Sequence, residues 1–303
     1  MTLSEPTSLV ERPVSESTGT TPRPGPLQRI VRGAGFDDGL MGVALLAGSA
    51  NVIMQLALPG VGYGVMESRV ESGRIDRHPI KRARTTFTYL AVASRGNEVQ
   101  QREYRRAVTR VHAQVFSTED SPVQYRALDP QLQLWVAACL YKGGVDVYRT
   151  FIGEMDDTTA DQHYRDGITL GTMLQVRPEM WPADRCAFDE YWRASLDEVH
   201  IDDAVRDYLY PIAAGRMRGV RLPRRAQNLS DSMSLLITTG FLPQRFRDEM
   251  RLEWDLSKQR QFDRLMRAIR LANNIAPPFV RAFPFNVLLH DVNWRIRTGR
   301  PLV

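Results

Sequence analysis

The chain has 303 residues, 43% of them hydrophobic and 25% charged, a profile that gives a globular protein enough apolar side chain for a sizeable core. Forty Lys and Arg against 35 Asp and Glu leave a net charge of +5, with the arginines interspersed among acids. Nucleic-acid binding calls for a basic stripe or arm interleaved with aromatics, and no such run exists. Cys139 and Cys186 form no CxxC pair, which excludes a disulfide framework or a structural zinc site and suits a reducing, cytoplasmic setting. The mild basic balance leaves association with an acidic membrane surface open, and the oligomeric state as well.

In chain order, residues 1–27 are rich in Ser, Thr and Pro with no apolar run, so they read as a disordered tail without the layout of a secretory signal. Residues 28–303 read as one all-α domain of eight to twelve helices. Between Asp38 and Glu67 no residue is charged, long enough to raise a membrane span. Asn51, Gln55, the Gly-Ser break and Pro59 favour instead a buried core helix near 39–58. Pro79 suits the first position of a helix over IKRARTTFTYLAVAS. Asn97, with Gln100 three residues on, predicts a capped helix running to about Phe116. Asp129-Pro130 opens a long segment that is apolar on most sides and so central. Thr158 with Asp161 resembles a capping box, Pro182 precedes another helix, and Pro277-Pro278 stop the amphipathic stretch 257–275.

Chemistry has few places to sit. Val108, Val111, His112 and Val115 fall at i, i+3, i+4 and i+7, which puts the histidine on an apolar helical face. Two readings stand: a hydrogen-bonded core histidine, since an unpaired buried polar group costs roughly 1–3 kcal/mol, or an axial haem ligand. Lys81, Arg84, Thr85 and Thr88 share a face by the same spacing and read either as a solvated basic start or as anion-holding groups. Asp197 with His200 is half of a carboxylate–histidine metal pair with no second half. Asp161, His163 and Asp166 form a weak metal alternative. No GxGxxG, P-loop, GxSxG or HExxH occurs.

The ordered stretches IMQLALPGVGYGVMESRV, KRARTTFTYL, VTRVHAQVFS, YRALDPQLQLWVAACL, LPRRAQNLSDSMSLLITTG and FLPQRFRDEMRLEW resemble a bacterial and fungal haem oxygenase family. That family contains the rubber-cleaving latex clearing proteins and the membrane-bound oxygenase of mycophenolic acid biosynthesis. The likeness spans roughly residues 35–285. It implies a globin-like helical core around haem b, using O2 on an apolar, isoprenoid-like alkene. By the same likeness His112 ligates the iron among Val108, Val111 and Val115. Lys81, Arg84 and Thr85 match the family's catalytic polar triple with the basic types exchanged, and Glu67 matches an active-site acid. The second ring nitrogen of His112 is then expected to donate to a carbonyl or carboxylate. Leu58 and Ala137 stand where family members often carry histidine. The alternative is a non-catalytic helical haem- or lipid-binding protein.

Overall fold

The structure is a computed structural model, and it describes residues 41–70, 79–216 and 223–303. The Ser/Thr/Pro-rich stretch 1–27 and its expected boundary lie outside the described residues. All described residues belong to one compact unit, Gly33–Val303. Among them no strand forms, and one isolated bridge pairs Phe116 with Arg126. The all-α expectation is met.

Eleven helices of eight residues or more carry the fold: α1 Gly48–Leu56, α2 Pro59–Met66, α3 Pro79–Arg95, α4 Glu98–His112, α5 Pro130–Phe151, α6 Asp157–Gly167, α7 Arg185–Ser195, α8 Asp203–Ala213, α9 Arg224–Phe241, α10 Leu256–Ile275 and α11 Phe285–Thr298. Proline sits at the start of α2 and α5, where its missing N–H costs nothing. Asn97 accepts from the Gln100 backbone N–H while the Gln100 side chain accepts from the Asn97 N–H, a complete capping box at the head of α4.

Three expected boundaries shift. The cap of α6 is Asp156, which accepts from the Thr159 N–H at 2.8 Å, rather than Thr158. The helix after Pro182 begins at Arg185 because Asp184 caps it. More consequentially, α4 ends at His112 instead of continuing to about Phe116. Beyond it, Ser117 N–H donates to the Tyr125 carbonyl and Ala127 N–H to the Val115 carbonyl, so pairing with the returning chain replaces helical bonding.

The uncharged segment forms a 3-10 turn, Gly42–Ala47, followed by α1 and α2. No single described helix is long and apolar enough to cross a membrane; the pair Gly42–Leu56 and Pro59–Met66 passes by length and composition only, bent by 109°. Its residues are core: Ile53 is 0% exposed and Met54 and Leu56 are buried with it. Gly62 makes the bend tight, since an added Cβ there would sit 2.5 Å from the Leu56 carbonyl oxygen. Asn51 and Gln55 tie α1 to α5: Asn51 Nδ2 donates to the Cys139 carbonyl at 2.7 Å, and Trp135 Nε1 donates to the Gln55 carbonyl at 3.0 Å. Gly143 on α5 lets Asn51 come that close. Helix α5 is the centre of the core, with Trp135 stacked on Trp192 at 5.2 Å and packed against Phe246. Helix α3 packs against both α4 and α11, and an Arg84–Asp291 ion pair of 3.5 Å joins it to α11.

Candidate functional site

Two cavities open beside α3. The first, about 190 Å3, is walled by Val108, Val111 and His112 from α4, by Val115 just beyond it, and by Thr85, Arg82 and Tyr89 from α3. Leu132, Gln133 and Val136 of α5 and Val61 and Val65 of α2 close it. The second, about 950 Å3, is lined mainly by apolar side chains, among them Val52, Phe87, Leu90, Val147 and Ile212. Gln55, Leu56, Arg82, Thr86 and Leu140 belong to both linings and form the common wall.

His112 is half-buried at the last turn of α4, where the capping box and the buried Tyr104 and Val108 hold the helix in place. Burial pushes its imidazole pKa down to about 4, and the neighbouring Arg82 charge pushes the same way. At neutral pH the ring is therefore uncharged and keeps a lone pair, the form that binds metals. The expected valine face exists in part: Val108 and Val111 share the helix with His112, while Val115 reaches the cavity from the turn, its N–H donating to the His112 carbonyl at 3.0 Å.

The second ring nitrogen has a different neighbour from the one expected. The carboxamide nitrogen of Gln133, not a carbonyl or carboxylate, lies 3.5 Å from His112 Nδ1. The polarity of that amide is set by its other bonds, because its nitrogen donates to the Ala127 carbonyl at 2.6 Å and its oxygen accepts from the Gln175 backbone N–H. Gln175 in turn donates to Thr109 Oγ1 on α4 at 2.9 Å. A part-buried network thus ties Gln133 to the end of α4.

The remaining candidates divide. Thr85 lines the first cavity, its hydroxyl donating to the Lys81 carbonyl at 3.0 Å. Arg84 borders the second cavity and is paired with Asp291. Lys81 is exposed and belongs to neither wall, and Thr88 is buried with its hydroxyl donating to the Arg84 carbonyl at 2.7 Å. Glu67 is exposed at the end of α2 and off both walls; its carboxylate accepts from Ser121 Oγ at 2.6 Å and from the Tyr125 hydroxyl at 2.8 Å. It reaches the first cavity through Tyr125, whose phenol pKa rises to about 12, through burial first and the Glu67 hydrogen bond second. Leu58 and Ala137 lie on neither wall, so their difference from the family pattern falls outside both cavities.

The histidines offered as metal alternatives sit elsewhere. His163 is buried against Tyr141 and Tyr148, with ring centroids 5.8 Å apart in each case. His200 is exposed, with Nδ1 3.5 Å from Glu249. No group of three His, Cys, Asp or Glu side chains among the described residues could hold a metal ion. The residue that sequence reasoning passed over is Arg82. Its guanidinium stands on the common wall and donates to Thr86 Oγ1 at 2.9 Å. The spacing Arg82, Thr86, Tyr89 (i, i+4, i+7) is the signal that marks this inward face.

An all-helical domain with a neutral histidine on a small cavity, and a large apolar chamber across a shared wall, belongs to the oxygenase class by its family. Residues 38–271 match the model of the ER-bound oxygenase mpaB/B'/rubber oxygenase catalytic domain, and the chain belongs to that family. Two uncharacterized mycobacterial proteins, one of Mycobacterium tuberculosis and one of Mycobacterium bovis, are each 49% identical over 259 residues, covering 86% of this chain and 100% of theirs. No solved structure matches.

The residues fit haem by chemistry. A neutral imidazole and a valine-rich wall are what an iron and a macrocycle face need. The His112 cavity is smaller than the roughly 300–1,000 Å3 typical of cofactor sites, and the larger chamber lies across the shared wall.

Proposed function

We propose that the protein is a haem b-dependent oxygenase in which His112 would hold the iron and an apolar, isoprenoid-like alkene occupies the larger chamber. The observation that carries this is His112 itself: a cavity-wall imidazole kept neutral by burial and by Arg82, within a chain of an oxygenase family. Haem b, when bound, supplies an iron centre that activates O2.

The chain's own residues do the rest. Val108, Val111 and Val115 exclude water beside His112. The Gln133 network holds the end of α4, so the imidazole is presented at a fixed position. Thr85 offers a hydroxyl on the same wall, and the Tyr125 phenol, bound to Glu67, keeps its proton across the physiological range. Val52, Phe87 and Leu90 give the substrate an apolar bed. Lys81, Arg84 and Glu67, assigned by family likeness, act from outside the wall of the first cavity and set rate rather than iron binding.

The test pairs two measurements on the purified protein: an absorption spectrum in ferric and ferrous-CO forms, then O2 uptake with an isoprenoid alkene. A Soret band with alkene-dependent uptake supports the oxygenase. A Soret band with no uptake supports the non-catalytic haem or lipid binder, which the apolar chamber would serve equally well. A protein that stays colourless when supplied with haem contradicts both.

A further inference from the structure

Three arginines line the larger chamber: Arg82, Arg84 and Arg216. Two are already neutralised. Arg84 pairs with Asp291 at 3.5 Å, and Arg216 donates twice to Asp231 Oδ2, at 2.9 and 2.7 Å. Arg82 differs from both. Its guanidinium donates to the Thr86 hydroxyl, and among the described residues no carboxylate pairs with it. The chamber's acid, Asp207, is exposed and belongs only to the second lining, whereas Arg82 stands on the wall shared with the His112 cavity.

A desolvated cation without a counter-charge is costly unless a ligand brings one. Burial is the leading influence on Arg82 and acts against its charged form, so the position gains most from an anion. Guanidinium geometry suits a carboxylate in particular, through two parallel N–H donors. Around it the chamber is apolar, with Val52, Phe87, Leu90, Leu140, Val147 and Ile212 on its walls. A charged head at Arg82 with an apolar body in the chamber satisfies both.

We infer that Arg82 is a specificity residue that receives the carboxylate of an amphiphilic acid whose apolar chain fills the larger chamber. The substrate class is thereby narrowed from apolar alkenes to unsaturated acids held by the head next to the His112 cavity. This rests on the oxygenase reading for its catalytic meaning, but the binding claim stands apart from haem. A haem propionate offers the same chemistry, so the experiment separates the two sources.

The experiment titrates the purified full chain with undecenoic acid and with undecenol, a matched pair differing only in the head, by calorimetry at neutral pH. Wild type is expected to bind the acid at least about tenfold more tightly than the alcohol, the size of a charge-assisted pair. Arg82→Met should bring the acid down to the affinity of the alcohol and leave the alcohol unchanged. Arg82→Lys should restore part of the preference. Haem content is read on every variant from the Soret absorbance. A wild type with no preference for the acid overturns the inference, and so does an Arg82→Met protein that keeps the preference while losing haem, which would give the guanidinium to a propionate. An acid preference that depends on Arg82 in a protein that takes up no haem sustains the inference while the oxygenase reading fails. If Arg82→Met does not fold, the wild-type acid-to-alcohol ratio and Arg82→Lys still decide.

Discussion

Lowering the pH should weaken the fold through His112, and the size of the effect follows from its site. The imidazole has a pKa of about 4 in the folded chain against 6.5 when free of these influences. Because the folded pKa is depressed, the folded state binds fewer protons than the unfolded one between these values, so stability falls as pH falls through this window. The contribution is intact above about pH 6.5 and fully lost below about pH 4. From pH 7 to pH 5 the linkage relation gives a loss on the order of 2 kcal/mol from this one group. Urea unfolding of haem-free wild type and His112→Leu at the two pH values isolates it, since every other titrating group is common to both. Leucine suits the valine wall, so the variant should unfold cooperatively and lose about 2 kcal/mol less than wild type on acidification. Identical pH dependence in the two proteins would show that the ring is not held neutral by burial and by Arg82.

Three further outcomes follow from particular contacts. Gln133→Glu would set a carboxylate against His112 Nδ1, and the His112 resonance in an NMR titration should move upward by roughly 1–3 pH units; an unmoved titration would mean the contact is not electrostatically felt. Asn97→Ala removes the capping oxygen of α4 and should cost about 1 kcal/mol in chemical denaturation, with no change in stability counting against a stable first turn. Trp135→Ala empties the space stacked on Trp192 and should cost about 3–5 kcal/mol; a loss below about 1 kcal/mol would mean the core closes over the gap.

Much of the helical framework was legible because its starts are local chemistry. Pro79, Asn97 with Gln100, and Asp129-Pro130 each satisfy or excuse unpaired backbone donors using neighbours in sequence. The end of α4 was not legible. Nothing in HAQVFS breaks a helix; it stops because Val115 and Ser117 pair with Ala127 and Tyr125 of the returning chain, contacts that no local window contains. The His112–Val108–Val111 part of the site could be read by helical spacing, while Gln133, Tyr125 and Leu174 come from segments brought in by the fold. Arg82 was hidden for another reason. In KRARTT every early position is polar, so spacing alone supports a face through Lys81, Arg84 and Thr85 as readily as one through Arg82 and Thr86. Only Tyr89, one turn further, discloses which side faces inward.

The proposed haem site is tested most directly by the ferric and ferrous-CO absorption spectra of wild type and His112→Ala, purified side by side with haem supplied. Removing the imidazole leaves a small side chain at a helix end where alanine is well tolerated, so the variant should keep its helical circular dichroism. Wild type should show a Soret band that shifts on reduction and CO binding, and His112→Ala should purify with far less haem. A His112→Ala protein with full haem and an unchanged ferrous-CO spectrum would contradict the assignment and turn attention to His163.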